Sequence, residues 1–314
     1  MAKLSFQYVS GIQSPESLIN FLCRRFKYND GDKWMDMILQ GRVTVNGAAV
    51  MPHYILETGN KVLYEQPEGG EPEIDVRYDV LYEDDDLLAV SKSGNIPTSP
   101  SGKYWHNCLV HLLQKEKGIP GLYAVHRLDR ETSGINLFAK TKHSAKIMGN
   151  KFNQGEIFKS YTAICKGYLP EKQVIVSGRL GKDPESGIHI KQAIVPDGRP
   201  SQTIFHLQAY FPQASLVSIF PLTGRTHQIR AHAQHIGHPI VGDKLYGASE
   251  ESFLAWLESG ERNSTDRHLL HATQLSFQHP TQNKEVHITS SPKGIIQLYL
   301  NNLRPLHNCQ KLPF

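Results

Sequence analysis

Cysteine is scarce in this chain of 314 residues: Cys23, Cys108, Cys165 and Cys309 stand far apart and form no C-x-x-C pair. That spacing offers neither a disulfide framework nor a cysteine-rich zinc site, and it fits a reducing compartment. Long apolar runs are missing as well. No stretch of about 18 apolar residues occurs, so no membrane-spanning helix is expected. The opening Met1-Ala2-Lys3-Leu4-Ser5-Phe6 lacks the apolar core of a signal peptide, and a cytoplasmic protein is expected. Neither a G-x-G-x-x-G fingerprint nor a Walker loop is present, which leaves nucleotide-driven and hydride-transfer chemistry without a motif. Charge of one sign is also limited. With 34 basic and 30 acidic residues the chain carries +4, enough to permit an anionic partner but not to demand one.

What charge there is, is segregated. Acids gather in Glu68 to Asp86, while Arg and Lys dominate Arg127 to Lys166 and the surroundings of Arg225 and Arg230. A separate basic face suits a phosphate backbone.

A first break falls at Glu65 to Glu73, rich in Pro, Gly and Glu, and reads as a linker over 66–74. Before it, Leu18, Phe21 and Leu22 have helical spacing, and Trp34 to Leu39 repeats the pattern. Gly41-Arg42-Val43-Thr44-Val45-Asn46-Gly47 alternates like a strand and ends in an Asn-Gly turn signal. A closing strand is expected at Leu56 to Tyr64. After the linker, Tyr78 to Tyr82 and Leu87 to Lys92 read as a hairpin. Further strands are expected at Ile135 to Ala139, Tyr161 to Lys166, Thr203 to Gln208 and Leu216 to Phe220, with a helix over Lys142 to Phe152. Short strands with irregularly placed helices suggest an α+β domain around a mostly antiparallel sheet over 75–303, followed by a polar tail at 304–314.

Three segments carry ionisable residues in suggestive settings. His126-Arg127-Leu128-Asp129-Arg130-Glu131-Thr132-Ser133-Gly134 lies between two apolar runs, where a loop at a sheet edge presents reactive groups. Flanking arginines keep Asp129 ionised. Read alone, this is an ion-pair loop, which is more often structural than catalytic. Lys159-Ser160-Tyr161-Thr162-Ala163 opens a strand, and a lone strand tyrosine is usually core filling. Thr223-Gly224-Arg225-Thr226-His227-Gln228-Ile229-Arg230 joins a turn to a helix start, placing Arg225, His227 and Arg230 near the positive end of a helix dipole. Anion binding and a solvated basic face explain it about equally.

In their order, however, the three segments resemble the RluA family of pseudouridine synthases. Further matches lie at His238-Pro239-Ile240-Val241-Gly242-Asp243 with Tyr246-Gly247, at Leu270-His271-Ala272, and at His279-Pro280. The likeness covers about Asp79 to Pro280. Residues 14–65 resemble an S4 RNA-binding domain, with Lys27, Lys33 and Arg42 as its basic residues. The resemblance implies a mixed sheet in two halves with a cleft between them, and isomerisation of uridine to pseudouridine in RNA. That reaction is redox-neutral and conserves atoms, so no cofactor or metal is required. Asp129 matches the essential aspartate, Arg230 its paired arginine, and Tyr161 the active-site tyrosine that stacks on the base and is a candidate base for proton removal. Arg127 matches the residue that enters the helix stack as the nucleotide flips out. Arg225, His227 and Lys159 then fit phosphate contacts. Lys92-Ser93-Gly94-Asn95-Ile96-Pro97-Thr98-Ser99-Pro100 departs from the family's Lys-Pro-x-Gly-x-Pro-x-His-Pro at Ser93, Asn95 and Ser99.

The expected partner is RNA, with large-subunit ribosomal RNA favoured by the S4-like segment. A transfer RNA stem-loop is the alternative, because Ser101 to Asn107 is similar to a segment of transfer RNA-modifying relatives. A monomer is expected. Two rival readings are a metal site on His227, His232, His235 and His238, and a non-catalytic RNA-binding protein that keeps the fold.

Overall fold

The computed structural model describes residues 3–8, 15–26, 29–65, 71–259 and 267–302. Lys27, residues 66–70 of the expected linker, the expected tail and Cys309 lie outside the described residues. Two compact units emerge: Met1–Pro72 with Pro100–Asn107, and Glu73–Ser99 with Cys108–Phe314.

In the first unit the chain runs β1 (Lys3–Gln7), α1 (Leu18–Arg25), α2 (Gly31–Leu39), β2 (Val43–Val45), β3 (Ala48–Ala49) and β4 (Lys61–Glu65). Both helices start on a side-chain cap. Ser17 accepts the Asn20 N–H, and Asp30 accepts the Lys33 N–H at 2.8 Å. Their apolar stripes, Leu18, Phe21 and Leu22 on one and Trp34, Met37 and Ile38 on the other, bury against Val43, Val45, Val62 and Tyr64 of the sheet. The four strands pair in the order β1-β4-β2-β3, and the turn between β2 and β3 holds Asn46 at a φ of 52°. Pro100–Asn107 groups with this unit although the sequence placed it within 75–303. The Glu71 carboxylate accepts the backbone N–H groups of Trp105, His106 and Asn107 at 3.0, 2.9 and 2.7 Å, and Trp105 packs on the core.

The second unit contains β5 (Tyr78–Glu83), β6 (Leu87–Lys92), α3 (Leu109–Lys117), β7 (Tyr123–Ala124), β8 (Ser133–Ala139), α4 (Lys142–Gln154), β9 (Phe158–Lys166), β10 (Gln173–Lys182), β11 (Gln192–Ile194), β12 (Arg199–Phe211), β13 (Ala214–Pro221), α5 (Gln228–His235), α6 (Glu250–Ser259), β14 (Leu270–Gln278), β15 (Glu285–Thr289) and α7 (Lys293–Asn302). Its sheet has the order β11-β10-β12-β13-β9-β14-β8-β6-β5, with β15 beside β14 and β7 beside β8. Every pair is antiparallel except β14 with β8. The fold is α+β around a mixed, mostly antiparallel sheet, as expected from the sequence.

The β14–β8 pair joins the two halves of the sheet, and it is short. His271 faces Ser133 and Ala272 faces Gly134. Gly134 has a φ of +100°, and a Cβ there would lie 2.3 Å from the Ala272 carbonyl oxygen. Only glycine permits this approach of two backbones. On one side of the seam Leu128, Ile135 and Leu137 form a core, and on the other Ala163, Val217, Ile219 and Ile229 form a second. Tyr161 packs against both. No described helix is long and apolar enough to cross a membrane.

Candidate active site

Asp129 sits on the loop between β7 and β8, and neutral hydrogen bonds pin that loop from below. The buried Thr98 hydroxyl accepts the Leu128 N–H at 3.1 Å and donates to the Asn136 side-chain oxygen at 2.7 Å. Thr132 N–H returns to the Asp129 carbonyl at 3.1 Å. The Arg130 carbonyl accepts from Ile96 N–H at 3.2 Å and from the Lys92 ammonium at 3.1 Å. Lys92 is 2% exposed, and burial, reinforced by Arg267, pushes its pKa well down. His126 stacks on Phe152 with ring centroids 4.5 Å apart, and its Nε2 accepts the Leu137 N–H at 3.0 Å. Ser93, one of the departures from the family pattern, donates its hydroxyl to the Asp75 carbonyl at 2.7 Å and so anchors the strand edge below the loop.

The opposite wall is the turn from β13 into α5. Gln228, the first helical residue, accepts the Arg225 N–H at 3.0 Å and the Thr223 hydroxyl at 2.7 Å, and donates to Gln202 and Thr203 of β12. This fixes the turn, and Arg230, in the first turn of the helix, faces Asp129. Arg230 Nη1 donates to Asp129 Oδ2 at 2.9 Å. The rest of its guanidinium is gripped by Asp243, with Nε to Oδ2 at 2.6 Å and Nη2 to Oδ1 at 2.9 Å. Asp243 in turn accepts the Leu245 and Tyr246 N–H groups, both at 3.0 Å. Two carboxylates thus share one buried arginine, the fork–fork geometry belonging to Asp243 and the free corner to Asp129.

The electrostatics follow from this arrangement. Burial alone would raise the Asp129 carboxyl, but the charge His227 gains at acid pH and that of Arg230 override burial and hold it well below the usual carboxylate range. Burial lowers His227, and His268 drops to about 4, so at neutral pH both imidazoles are uncharged and Arg230 is the counterion. Asp243 is likewise pulled to about 2 by Arg230 against the opposing effect of burial. Tyr161 goes the other way: burial and the Asp129 charge raise its phenol, which therefore stays protonated.

All seven residues singled out in the sequence meet here. Asp129, Tyr161, Arg230, Arg127, Arg225, His227 and Lys159 line one cavity of about 290 Å³, whose floor includes Leu128, Ile229 and Leu270. Arg127 is exposed at the rim, and Arg225 Nε donates to the Pro200 carbonyl at 3.1 Å. The cavity presents one carboxylate among four cations, a setting for a substrate with phosphates and a developing positive centre. The histidines of the metal reading are dispersed. His232 bonds Ser201 and Thr203, His238 bonds the Lys166 carbonyl, and His227 faces Asp129. No group of three metal-capable side chains occurs among the described residues.

Sequence reasoning overlooked several residues that hold the site. Asp243 and Tyr246 stood within a quoted motif but received no role, although a carboxylate close in sequence to an active-site arginine was a usable signal. Thr98, Asn136 and Gln228 gave no such signal, because their partners are up to 38 residues away.

Comparisons with known proteins identify the family. A family model described as RNA pseudouridylate synthase matches residues 86–235. The ribosomal large subunit pseudouridine synthase C of Buchnera aphidicola subsp. Schizaphis graminum is 31% identical over 313 residues, covering 96% of this chain and 98% of that protein. Pseudouridylate synthase RPUSD2 of Mus musculus is 31% identical over 84% of this chain, which spans 47% of that longer protein. Among solved structures, Human RNA Pseudouridylate Synthase Domain Containing 1 matches with a TM-score of 0.57 at 25% identity, over 76% of this chain and 100% of that one. With a relative this similar along nearly its whole length, the chain belongs to the RluA-type family of RNA pseudouridine synthases and is an enzyme of that kind.

Proposed function

We propose that the cavity between the Asp129 loop and α5 binds a flipped-out uridine of large-subunit ribosomal RNA, with Asp129 as the reacting carboxylate. The observation that carries the site assignment is the pairing of Asp129 Oδ2 with Arg230 at 2.9 Å inside a cavity also lined by Tyr161. Isomerisation breaks the C1′–N1 bond, turns the base and joins C1′ to C5; the C5 proton leaves and N1 takes one up, so no atom is gained or lost overall. Positive charge develops at C1′, and an ionised carboxylate there stabilises or captures it. Arg230 keeps Asp129 charged and aimed. Tyr161, a protonated phenol in a half-buried position, offers a face for the base to stack on rather than a resting phenolate. Arg127 at the rim is placed to enter the stack vacated by the uridine, while Lys159 and Arg225 are within the cavity wall that meets the flanking phosphates.

The ribosomal target is supported by the relative from Buchnera, whose length is matched almost completely. The first unit supports it too: its two helices and hairpin follow the S4 order, with Lys33 and Arg42 as basic residues.

Release of tritium from RNA carrying C5-labelled uridine reads the reaction directly. We expect release by the wild type, lowered on the order of 10⁴-fold or more in Asp129→Ala. Release that survives this substitution would remove Asp129 from the chemistry. Carbodiimide mapping of RNA from wild-type and deletion cells tests the target. A pseudouridine lost from large-subunit RNA is the expected result, and one lost only from transfer RNA would overturn it.

A further inference from the structure

His227 holds a backbone conformation that histidine rarely adopts. Its φ of 54° and ψ of 17° are left-handed, which costs a residue with a Cβ on the order of 1 kcal/mol. Such strain persists where the surroundings fix it, and two neighbours meet this ring. The Tyr246 hydroxyl lies 3.1 Å from Nδ1, with the two rings edge to face at 5.7 Å. On the other side, Nε2 faces Asp129 Oδ1 across 3.9 Å.

The hydrogen-bond partners favour one tautomer. The Tyr246 oxygen accepts the Gln192 N–H at 2.9 Å, so its own proton is available to Nδ1. An Nδ1 that accepts leaves the ring proton on Nε2, facing the carboxylate. The opposite tautomer would set an Nε2 lone pair against an ionised oxygen. Tyr246 is 3% exposed and is itself fixed, with the Arg230 guanidinium 5.0 Å above its ring and its N–H bonded to Asp243.

We propose that Tyr246 is a positioning residue that locks His227 as the Nε2–H tautomer, so that His227 presents a neutral donor to Asp129 Oδ1 while Arg230 occupies Oδ2. The proposal rests on Asp129 being the reacting carboxylate, as read above. It divides the work between the two oxygens. Oδ2 carries the charged hydrogen bond, and Oδ1 is steadied by a dipole and remains free to approach C1′. A second full cation at Oδ1 would tie up the attacking lone pair. The charged and titratable groups facing His227 are Asp129, Arg230, Asp243 and Arg127, with Tyr246 at Nδ1.

Imidazole ¹⁵N–¹H correlation spectra of the full chain at pH 7 read the tautomer without any substitution. The expected result is a protonated Nε2 on His227, with the bias weakened in Tyr246→Phe. A wild-type His227 protonated on Nδ1 overturns the proposal. In kinetics, His227→Asn keeps a residue tolerant of left-handed backbone, so the thermal midpoint should hold. Its single-turnover rate should fall about 10²-fold with RNA affinity within about twofold. Tyr246→Phe should fall about 10-fold, and the double variant should be no slower than His227→Asn alone. Wild-type rates in either single variant, or losses that multiply in the double, also overturn it. Activity surviving Asp129→Ala would instead overturn the underlying reading, which is a separate outcome.

Discussion

The two walls of the cavity are built by different physics. Beside its reacting carboxylate the Asp129 wall is anchored by neutral bonds, from Thr98, Asn136 and His126, and its charged contacts lie further along the loop, where Arg130 pairs with Glu131 and Arg267 donates to the Glu131 carbonyl. The Arg230 wall is held by charge, a guanidinium clamped by Asp243 and offered to Asp129. Both are locked at their base by a glycine against a foreign backbone. Gly134 meets Ala272, and Gly242, at a φ of +77°, meets Arg267, whose carbonyl oxygen would lie 2.2 Å from a Cβ. Each wall is thus set close against a neighbouring backbone, but their tolerance of change differs. Neutral bonds fail one at a time, whereas a buried charge left without its partner fails at once.

The sharpest way to break this contrast is to remove Asp243. Arg230 is 8% exposed, and Asp243→Ala strips away its bidentate partner. We expect a loss of about 3–5 kcal/mol in urea unfolding, together with loss of tritium release because Asp129 loses an aimed counterion. Asp243→Asn, which keeps the shape but removes the charge and turns one acceptor into a donor, should fall between. If Asp243→Ala unfolds within about 1 kcal/mol of wild type, the charged clamp is not what holds this wall.

The same measurement on the other wall should read smaller. Thr98→Val preserves volume but leaves the buried Leu128 N–H without its acceptor and the Asn136 oxygen without its donor. The expected cost is about 1–3 kcal/mol. Turnover should drop with unchanged RNA affinity, since the Asp129 loop is tethered next to its reacting residue. A cost equal to that of Asp243→Ala would erase the distinction between the walls.

How much of this was legible in the sequence follows the same division. The hairpins, the capped helices and the three reactive segments announce themselves locally, through alternation, Asn-Gly signals and clustered ionisable residues. The strands β10, β14 and β15 did not, although β14 is the seam of the sheet. Its pattern of burial is irregular because a register shift between Ala272 and Gln274 interrupts its pairing with β9. Local physics also left the Asp129 loop an ion-pair turn like any other. What sets it apart, an arginine 101 residues away and shared with Asp243, is a product of tertiary structure. The order of motifs supplied the residues, and the structure supplied the geometry that gives them roles.

The smallest expected effect concerns histidines common to both walls. His268 bonds the Thr132 hydroxyl and His271 the Ser133 hydroxyl on the Asp129 side, while His232 bonds Ser201 and Thr203 beneath α5. Burial is the leading cause that brings each to about 4, helped by Arg230 at His268, Arg267 at His271 and His235 at His232. An unfolded histidine titrates near 6.5. Between those values the unfolded chain binds the extra protons, so stability is intact above about pH 6.5 and declines as pH falls toward 4. From pH 7 to pH 6 each imidazole should cost on the order of 0.7 kcal/mol, steepening below. The two aspartates act in a lower window, because their depressed carboxyls keep their contribution until the pH drops below the ordinary carboxylate range. Urea midpoints between pH 7.5 and 5 test this. Replacing His232 or His268 with glutamine should flatten the slope by similar amounts, since a buried imidazole bonded to a hydroxyl behaves alike on either wall. A flattening from His232 but not from His268 would show that the Asp129 side, with Glu131 3.6 Å from His268 Nδ1, compensates protonation there.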